Sequence, residues 1–156
     1  MDLLQKLNFK NPSRACVLEA PASFAPQVEL LRQAVPTDQE VLPEAAYDFV
    51  ICFVQHEADV VRMANAVAPT LLPDAVFWMA YPKKSSKKYK ATIHRDSGWQ
   101  ALGDLGFEGV RAIAIDEDWS ALRFRHVKYI KTLHRDPSWI MSKEGQAASS
   151  KRPKNE

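Results

Sequence analysis

Glycine is scarce in this chain: there are five glycines among 156 residues, and none precedes Gly98. A phosphate-cradling loop needs glycine where the backbone approaches its ligand, so the first 97 residues hold no such loop. Cysteine is also rare, since only Cys16 and Cys52 occur. Two cysteines exclude a disulfide framework and a four-ligand zinc site. The four histidines show no metal-ligand spacing either, so no metal is expected.

Long apolar runs are missing as well. No stretch approaches the roughly 20 residues that span a bilayer, and the first residues lack a basic-then-apolar signal pattern. We therefore expect a soluble, cytoplasmic protein with no membrane partner. The length predicts one domain over residues 1–139, and the polar composition of residues 140–156 predicts a disordered basic tail.

Charge is unevenly distributed although the net charge is only +2. Residues 83–95 carry six Lys or Arg and no acid, and residues 120–156 carry nine against three acids. The rest of the chain has six basic and sixteen acidic residues, so an acidic body carries two basic segments. An anionic partner would therefore bind at the two basic segments, because opposite charges attract.

Apolar periodicity predicts alternating strands and helices. Continuously apolar runs such as residues 47–54 and 75–81 are typical of buried parallel strands, and Phe24, Val28, Leu31 and Val35 form a helical stripe. Ser23 is predicted to cap that helix, and Asp96 or Ser97 a later one. The predicted fold is α/β: a three-layer sandwich with a mostly parallel sheet and a C-terminal antiparallel hairpin. The predicted strand order, by residue range, is 37–42, 14–20, 47–54, 75–81, 121–127, 110–116.

Several phrases resemble a Rossmann-like methyltransferase fold with one unit shortened. They are LNFKNPSRACVLEAP, YDFVICFV, LLPDAVFWMAYP and LGDLGFEGVRAIAID. The phrases AYPKKSS and DEDWSALRFR are also similar to a small bacterial family of unknown function with this fold. The resemblance implies a fold and no established activity.

The resemblance also shows what is missing. S-adenosylmethionine enzymes of this fold have glycines after the first strand, where this chain reads Glu19-Ala20-Pro21-Ala22-Ser23. They place an acidic residue at the end of the second strand, for which only Glu40 or Glu44 is available. We therefore expect no cofactor, and a binding or regulatory module more than an enzyme.

The carboxyl ends of the predicted strands nevertheless form a candidate ligand cleft. A carboxylate, an imidazole and a lysine pair meeting there would suit a small anionic or amphoteric ligand. The alternative is that Ser23, His56 and Glu57 only cap helices. The candidate cleft residues are Glu19, Ser23, Gln55, His56, Glu57, Lys83, Lys84 and Ser85.

Residues 83–95, here called the basic loop, interleave basic side chains with Tyr89. This composition suits contacts to phosphates and a stacked ring, as in a phosphorylated ligand or single-stranded nucleic acid. A solvated mobile loop is the alternative, because no nucleic-acid-binding motif accompanies it. The candidate anion contacts are Lys87, Lys88, Lys90 and Arg95.

Two further hypotheses stay open. One is an enzyme, such as a divergent methyltransferase, working around Glu19, His56 and Lys83. The other concerns Arg123 and Arg125, which share one face of a strand by the period of two. They are predicted to form a structural ion-pair network with nearby acids, with an anion site as the alternative.

Overall fold

Apolar strands and short helices build the molecule in the alternating order that the sequence predicts. The computed structural model describes residues 2–130. The predicted tail at residues 140–156 lies outside them. The strands are β1 (Ala15–Leu18), β2 (Thr37–Asp38), β3 (Tyr47–Phe53), β4 (Leu71–Pro82), β5 (Phe107–Ala114) and β6 (Trp119–His126). The helices are α1 (Leu3–Lys6), α2 (Ala25–Ala34), α3 (Glu57–Val67) and α4 (Gln100–Asp104).

The six strands form one sheet in the order β2-β1-β3-β4-β6-β5. Only β6 runs antiparallel to its neighbours β4 and β5, so the predicted order and hairpin are confirmed. The second strand is shorter than predicted, because only Thr37 and Asp38 pair with β1 before the chain turns away.

Both faces of the sheet are covered, which makes three layers. On one face, Val28 and Leu31 of α2 pack with Leu7 beside α1. On the other face, Val60 and Met63 of α3 pack with Leu102 of α4. This arrangement explains why β3 is apolar on both sides. The architecture is the predicted three-layer α/β sandwich.

The predicted caps of α2 and α4 are wrong. Phe24 precedes α2, and Ser23 lies inside a single 3-10 turn, Ala22–Phe24, that begins after Pro21. Trp99 precedes α4, while Ser97 exchanges backbone hydrogen bonds with His94 in a tight turn. In both places a buried aromatic ring fixes where the helix begins, and this tertiary packing overrides the local preference for a polar cap.

No helix within residues 2–130 is both long enough and apolar enough to cross a membrane.

Candidate functional site

The candidate cleft residues follow three adjacent strands at the same edge of the sheet. Glu19 follows β1, Gln55 and His56 follow β3, and Lys83 follows β4. Because β1, β3 and β4 are parallel neighbours, their carboxyl ends form one edge. We call it the C-terminal edge.

At the end of β1, Glu19 makes an ion pair across the edge. Its carboxylate lies 2.8 Å from the guanidinium of Arg62 on α3, which also lies 3.4 Å from Asp59. Glu19 has a φ of 55°, in the left-handed region that non-glycine residues seldom adopt. The chain then continues through Ala20 and Pro21 into the 3-10 turn, where Ser23 is exposed.

At the end of β3, the start of α3 is tied to the basic loop. The Asp59 carboxylate accepts hydrogen bonds from the backbone N–H groups of Gln55 and His56, at 3.0 and 3.1 Å. Those bonds lower the pKa of Asp59 although its burial acts in the opposite direction. The Gln55 carbonyl accepts a bond from the Thr92 N–H, and His56 Nδ1 lies 3.1 Å from Thr92 Oγ1. His56 thus occupies the predicted position before α3. Glu57 is the first residue of α3, and its side chain is exposed.

The start of the basic loop is fastened to the β5–β6 hairpin. The Lys83 N–H donates to the Asp118 carbonyl at 2.8 Å, and the Ser86 hydroxyl donates to the Asp118 carboxylate at 2.8 Å. Ser86 Oγ in turn accepts hydrogen bonds from the N–H groups of Lys88 and Tyr89. Ser85, its neighbour, is exposed. Sequence reasoning named both Ser85 and Ser86 as possible donors to an anion, and it did not foresee that Ser86 bonds to Asp118, 32 residues away.

The rest of the loop is fastened by its apolar side chains. The Tyr89 ring lies 4.9 Å from that of Trp119, which packs against Phe53. Ile93 is fully buried, and a β-carbon on Gly98 would overlap its side chain. The loop therefore packs over the C-terminal edge, whereas the mobile alternative would leave these side chains in solvent.

The cationic side chains of the loop lie at its surface, and the Lys88 ammonium lies over the Tyr89 ring at 5.7 Å from its centroid. Lys84, Lys87, Lys88 and Lys90 are exposed, as is Arg95, and Lys83 is partly exposed. Within residues 2–130, no lysine of the loop lies within ion-pair distance of a carboxylate. Two of the neighbouring hairpin acids are engaged elsewhere: Asp116 accepts from the N–H groups of Asp118 and Trp119, and Asp118 accepts from the Ser86 hydroxyl.

One buried donor near the loop has no partner. The indole Nε1 of Trp119 is inaccessible to solvent, and no hydrogen-bond acceptor contacts it among the described residues. An unsatisfied buried N–H costs free energy, so a ligand atom that accepts from it would be stabilised.

Cys16 and Cys52 are free and buried, as the sequence predicts. Burial raises the pKa of the Cys16 thiol to about 12 and that of Cys52 well above its usual range. Thiols held protonated in this way are poor nucleophiles.

An acidic residue does end β2, but it is used for structure. Asp38 accepts hydrogen bonds from Arg14 at 2.8 Å and from the Tyr47 hydroxyl at 2.6 Å. The bond from Arg14 is the main reason that the pKa of Asp38 is lowered. Both partners stand at the amino ends of β1 and β3, so Asp38 faces away from the C-terminal edge. Sequence reasoning named Glu40 and Glu44, and missed this network because β2 ends earlier than predicted.

Two open depressions lie outside the candidate cleft. One, of about 380 Å³, is lined by Arg32, Thr37, Asp38, Gln39, Glu40 and Leu42 beside β2. The other, of about 190 Å³, lies near the start of β4 and includes Asp74, Phe107 and His126. Within residues 2–130, no cluster of three or more potential ligands could hold a metal ion.

The two arginines of β6 behave differently. Arg125 forms the predicted ion pair, with both guanidinium bonds to Asp74 at 2.7 Å. Arg123 does not: its Nε is buried and has no hydrogen-bond partner among the described residues. The prediction of an ion-pair network thus holds for Arg125 and is wrong for Arg123.

Comparison with solved structures supports the fold. The chain is similar to a SAM-dependent methyltransferase from Aquifex aeolicus, with a TM-score of 0.57 and 12% identity over 80% of this chain and 88% of that one. It is also similar to the N-methyltransferase NodS from Bradyrhizobium japonicum in complex with S-adenosyl-L-homocysteine. There the TM-score is 0.50 and the identity 10%, over 80% of this chain and 83% of that one. The fold is therefore methyltransferase-like and Rossmann-like.

No protein-family model matches the chain, and no curated protein does. The resemblance to a small bacterial family stays a prediction. At such low identity, the similarity to solved structures establishes the fold of this chain and does not establish its activity.

Proposed function

We propose that this protein is a non-enzymatic binding module that holds a phosphorylated ligand against the basic loop at the C-terminal edge of its sheet. The observation that carries the proposal is an anchored backbone whose lysines are exposed or partly exposed and form no ion pair within residues 2–130. A loop that is only solvated would not be held by buried side chains. This one is held by Ser86, Tyr89 and Ile93.

The anchoring lowers the entropic cost of binding. Because Lys83 and Ser86 are bonded to Asp118, the backbone between them is ordered before a ligand arrives. Lys83 and Lys84 then present two ammonium groups near the free backbone and hydroxyl of Ser85. Ammonium and hydroxyl donors of this kind bind phosphate oxygens well.

The residues after β1 support a role without S-adenosylmethionine. A cofactor at this edge would need the backbone to come close, and Pro21 lacks the N–H that a glycine would offer. The Glu19 side chain stands at the same place and is paired with Arg62. These residues do not fit the cofactor, so we derive no catalytic step through it.

A divergent methyltransferase is the second candidate, and it is favoured by the structural similarity to methyltransferases. Under that hypothesis, Glu19, His56 and Lys83 would act on a substrate at the C-terminal edge. Glu19 is paired with Arg62, and His56 lies beside Thr92. Among the described residues, no ion pair joins any two of Glu19, His56 and Lys83. The first candidate is therefore the better supported.

Fluorescence anisotropy with a fluorescein-labelled nucleoside triphosphate tests the proposal. We expect weak binding at low salt that falls as salt rises, because counterions compete for the lysines. Lys83→Ala/Lys84→Ala should weaken binding at least about tenfold, equivalent to about 1.4 kcal/mol, without changing the thermal midpoint.

A matched control removes the same charge elsewhere. Lys6→Ala/Lys10→Ala also deletes two exposed lysines, near α1 and away from the loop. It should bind as the wild type does. Equal weakening by both double variants, or no binding by the wild type at low salt, would contradict the proposal. A labelled single-stranded oligonucleotide, run in parallel, shows whether the phosphate belongs to a nucleic acid.

A further inference from the structure

A second basic feature lies on the β5–β6 hairpin, apart from the basic loop. Arg111 on β5 stands directly opposite Arg123 on β6 in the antiparallel register. Residues directly opposite share a face of the sheet, and like charges in such a pair repel each other. An acid at either position would replace this repulsion with an attraction and would make the hairpin more stable.

A β-bulge brings Arg111 to this position. The register shifts between Gly109, which faces Phe124, and Arg111, which faces Arg123, so Val110 is the extra residue. Without the bulge, Arg111 would stand opposite Leu122 on the other face. Bulges that turn one side chain toward a neighbour are frequent beside functional sites.

Arg123 is partly buried, and its Nε is not satisfied. It also stands opposite Trp78 of β4, which is fully buried. Its Nε is inaccessible to solvent and has no hydrogen-bond partner among residues 2–130. Burial, together with the positive charges of Arg125 and Arg111, lowers the pKa of Arg123, while the charge of Asp74 acts in the opposite direction. The Nε–H is thus desolvated without an acceptor, which costs free energy unless a ligand supplies one.

The nearby Asp74 carboxylate is engaged by Arg125. Asp74 makes two 2.7 Å bonds to Arg125, although its charge also acts on Arg123. Glu108 stands opposite Arg125 in the register. Within residues 2–130, neither Arg111 nor Arg123 forms an ion pair with a carboxylate.

The geometry points to an oxyanion-binding site formed by Arg111 and Arg123, for a tetrahedral dianion such as the phosphate group of a small phosphorylated compound. Two positive groups match a doubly charged ligand, and the planar guanidinium fork donates two parallel hydrogen bonds to such oxygens. Arg125, already bound by Asp74, flanks the site and does not complete it. This inference does not rest on the proposed function of the basic loop.

Like charges at Arg111 and Arg123 repel each other, and a dianion bound between them would relieve that repulsion.

The test is an NMR titration of the full chain labelled with ¹⁵N-arginine, observing the Nε–H signals. Inorganic phosphate is added to the Lys83→Ala/Lys84→Ala background, which removes the basic-loop lysines, with sodium chloride of equal ionic strength as the reference. We expect the signals of Arg111 and Arg123 to shift saturably and together, and the signal of Arg125 to shift less. Acetate, with one charge, should bind several-fold more weakly, while phenyl phosphate should bind at least as well as phosphate if the ligand is a phosphate ester.

Variants decide whether the shifts report a site. Arg111→Gln should weaken phosphate binding about tenfold or more at the remaining Arg123 signal, and Arg123→Gln should do the same at Arg111. Arg32→Gln removes an exposed arginine of α2 and should change neither. Absence of saturable shifts, equal effects of phosphate and chloride, or unchanged affinity in both site variants would overturn the inference. None of these results depends on whether the basic loop binds its own ligand.

Discussion

The Glu19 carboxylate lies 2.8 Å from the Arg62 guanidinium, so the residue after β1 is joined to the middle of α3. The pair is half-exposed, and exposed ion pairs contribute little to stability. The resemblance to S-adenosylmethionine enzymes implies glycines after the first strand, whereas this chain has Glu19, Ala20 and Pro21 there.

S-adenosylmethionine is therefore expected not to bind at submillimolar concentration. Ala20 and Pro21 put side chains where a glycine loop would leave space, and Pro21 offers no N–H. Isothermal titration calorimetry on the full chain checks this, and Arg62→Ala should not restore binding, since the proline remains. Micromolar affinity in the wild type would revive the divergent methyltransferase.

Ser86 is expected to hold the basic loop in its binding conformation. Ser86→Ala removes the hydroxyl that donates to Asp118 and accepts from Lys88 and Tyr89. The free energy of unfolding should fall by about 1–2 kcal/mol, because one of these bonds is made to a carboxylate. Binding of the labelled nucleotide should also weaken, although no lysine is lost.

Ser85→Ala is the matched control for that prediction. Ser85 is the adjacent serine and is exposed, so chemical denaturation should give the wild-type stability. If both variants lose stability equally, the bond between Ser86 and Asp118 does not hold the loop.

The Asp38 network predicts how stability depends on pH. Because the folded state lowers the pKa of Asp38, the ionised form stabilises the fold. This stabilisation is complete above the unfolded pKa of about 3.9 and is lost as pH falls through the lower folded value. The difference in unfolding free energy between the wild type and Asp38→Asn should therefore be constant from about pH 5 to 7. Below about pH 4 it should shrink.

Tyr47→Phe removes one hydroxyl from the same network. Tyr47 is fully buried, and its hydroxyl donates to Asp38 at 2.6 Å and accepts from the Leu42 N–H at 3.2 Å. The loss of both bonds should cost on the order of 1–3 kcal/mol at neutral pH. Urea denaturation at neutral and acid pH measures both variants. A wild-type pH profile in Asp38→Asn would show that the carboxylate contributes nothing.

The thiols should be unreactive in the native state. Cys16 and Cys52 are buried on adjacent strands, and burial raises the pKa of both. A colorimetric thiol reagent at pH 8 should label neither until denaturant is added, when both should react. Rapid labelling of the native protein would contradict the assignment of both as inert core residues.

The sheet could be predicted because its strands are apolar on both faces. Runs such as Tyr47–Phe53 can lie only in the centre of a covered sheet, and the short link between β5 and β6 permits only a hairpin. Helix starts were less predictable, since Phe24 and Trp99 fix them by packing. Local sequence carries no signal for such packing.

The candidate site could be predicted in outline only. The order of the strands brings Glu19, His56 and Lys83 to one edge, which follows from the topology. The bonds from Ser86 to Asp118 and from Tyr47 to Asp38 depend on three-dimensional register, which no spacing in the sequence reveals. The opposition of Arg111 and Arg123 depends on a one-residue bulge, so sequence periodicity alone could not find it.

If Arg111 and Arg123 form a ligand site, the free protein should be more stable without one of them. Arg123→Met keeps an unbranched apolar stem opposite Trp78, while it removes a positive charge and the buried Nε–H that lacks an acceptor. Relief of the repulsion with Arg111 is worth about 0.2–1 kcal/mol, the usual range for a cross-strand pair. We therefore expect a higher thermal midpoint for Arg123→Met in phosphate-free, low-salt buffer. The gain should diminish as salt rises, because salt screens the repulsion in the wild type.

Arg125→Met is the contrasting variant: it leaves Asp74 without its two bonds and should lower the midpoint. Differential scanning calorimetry at two salt concentrations measures all three proteins. A destabilised Arg123→Met would mean that the guanidinium contributes to the fold through contacts other than hydrogen bonds, and that its burial is not a cost maintained for a ligand.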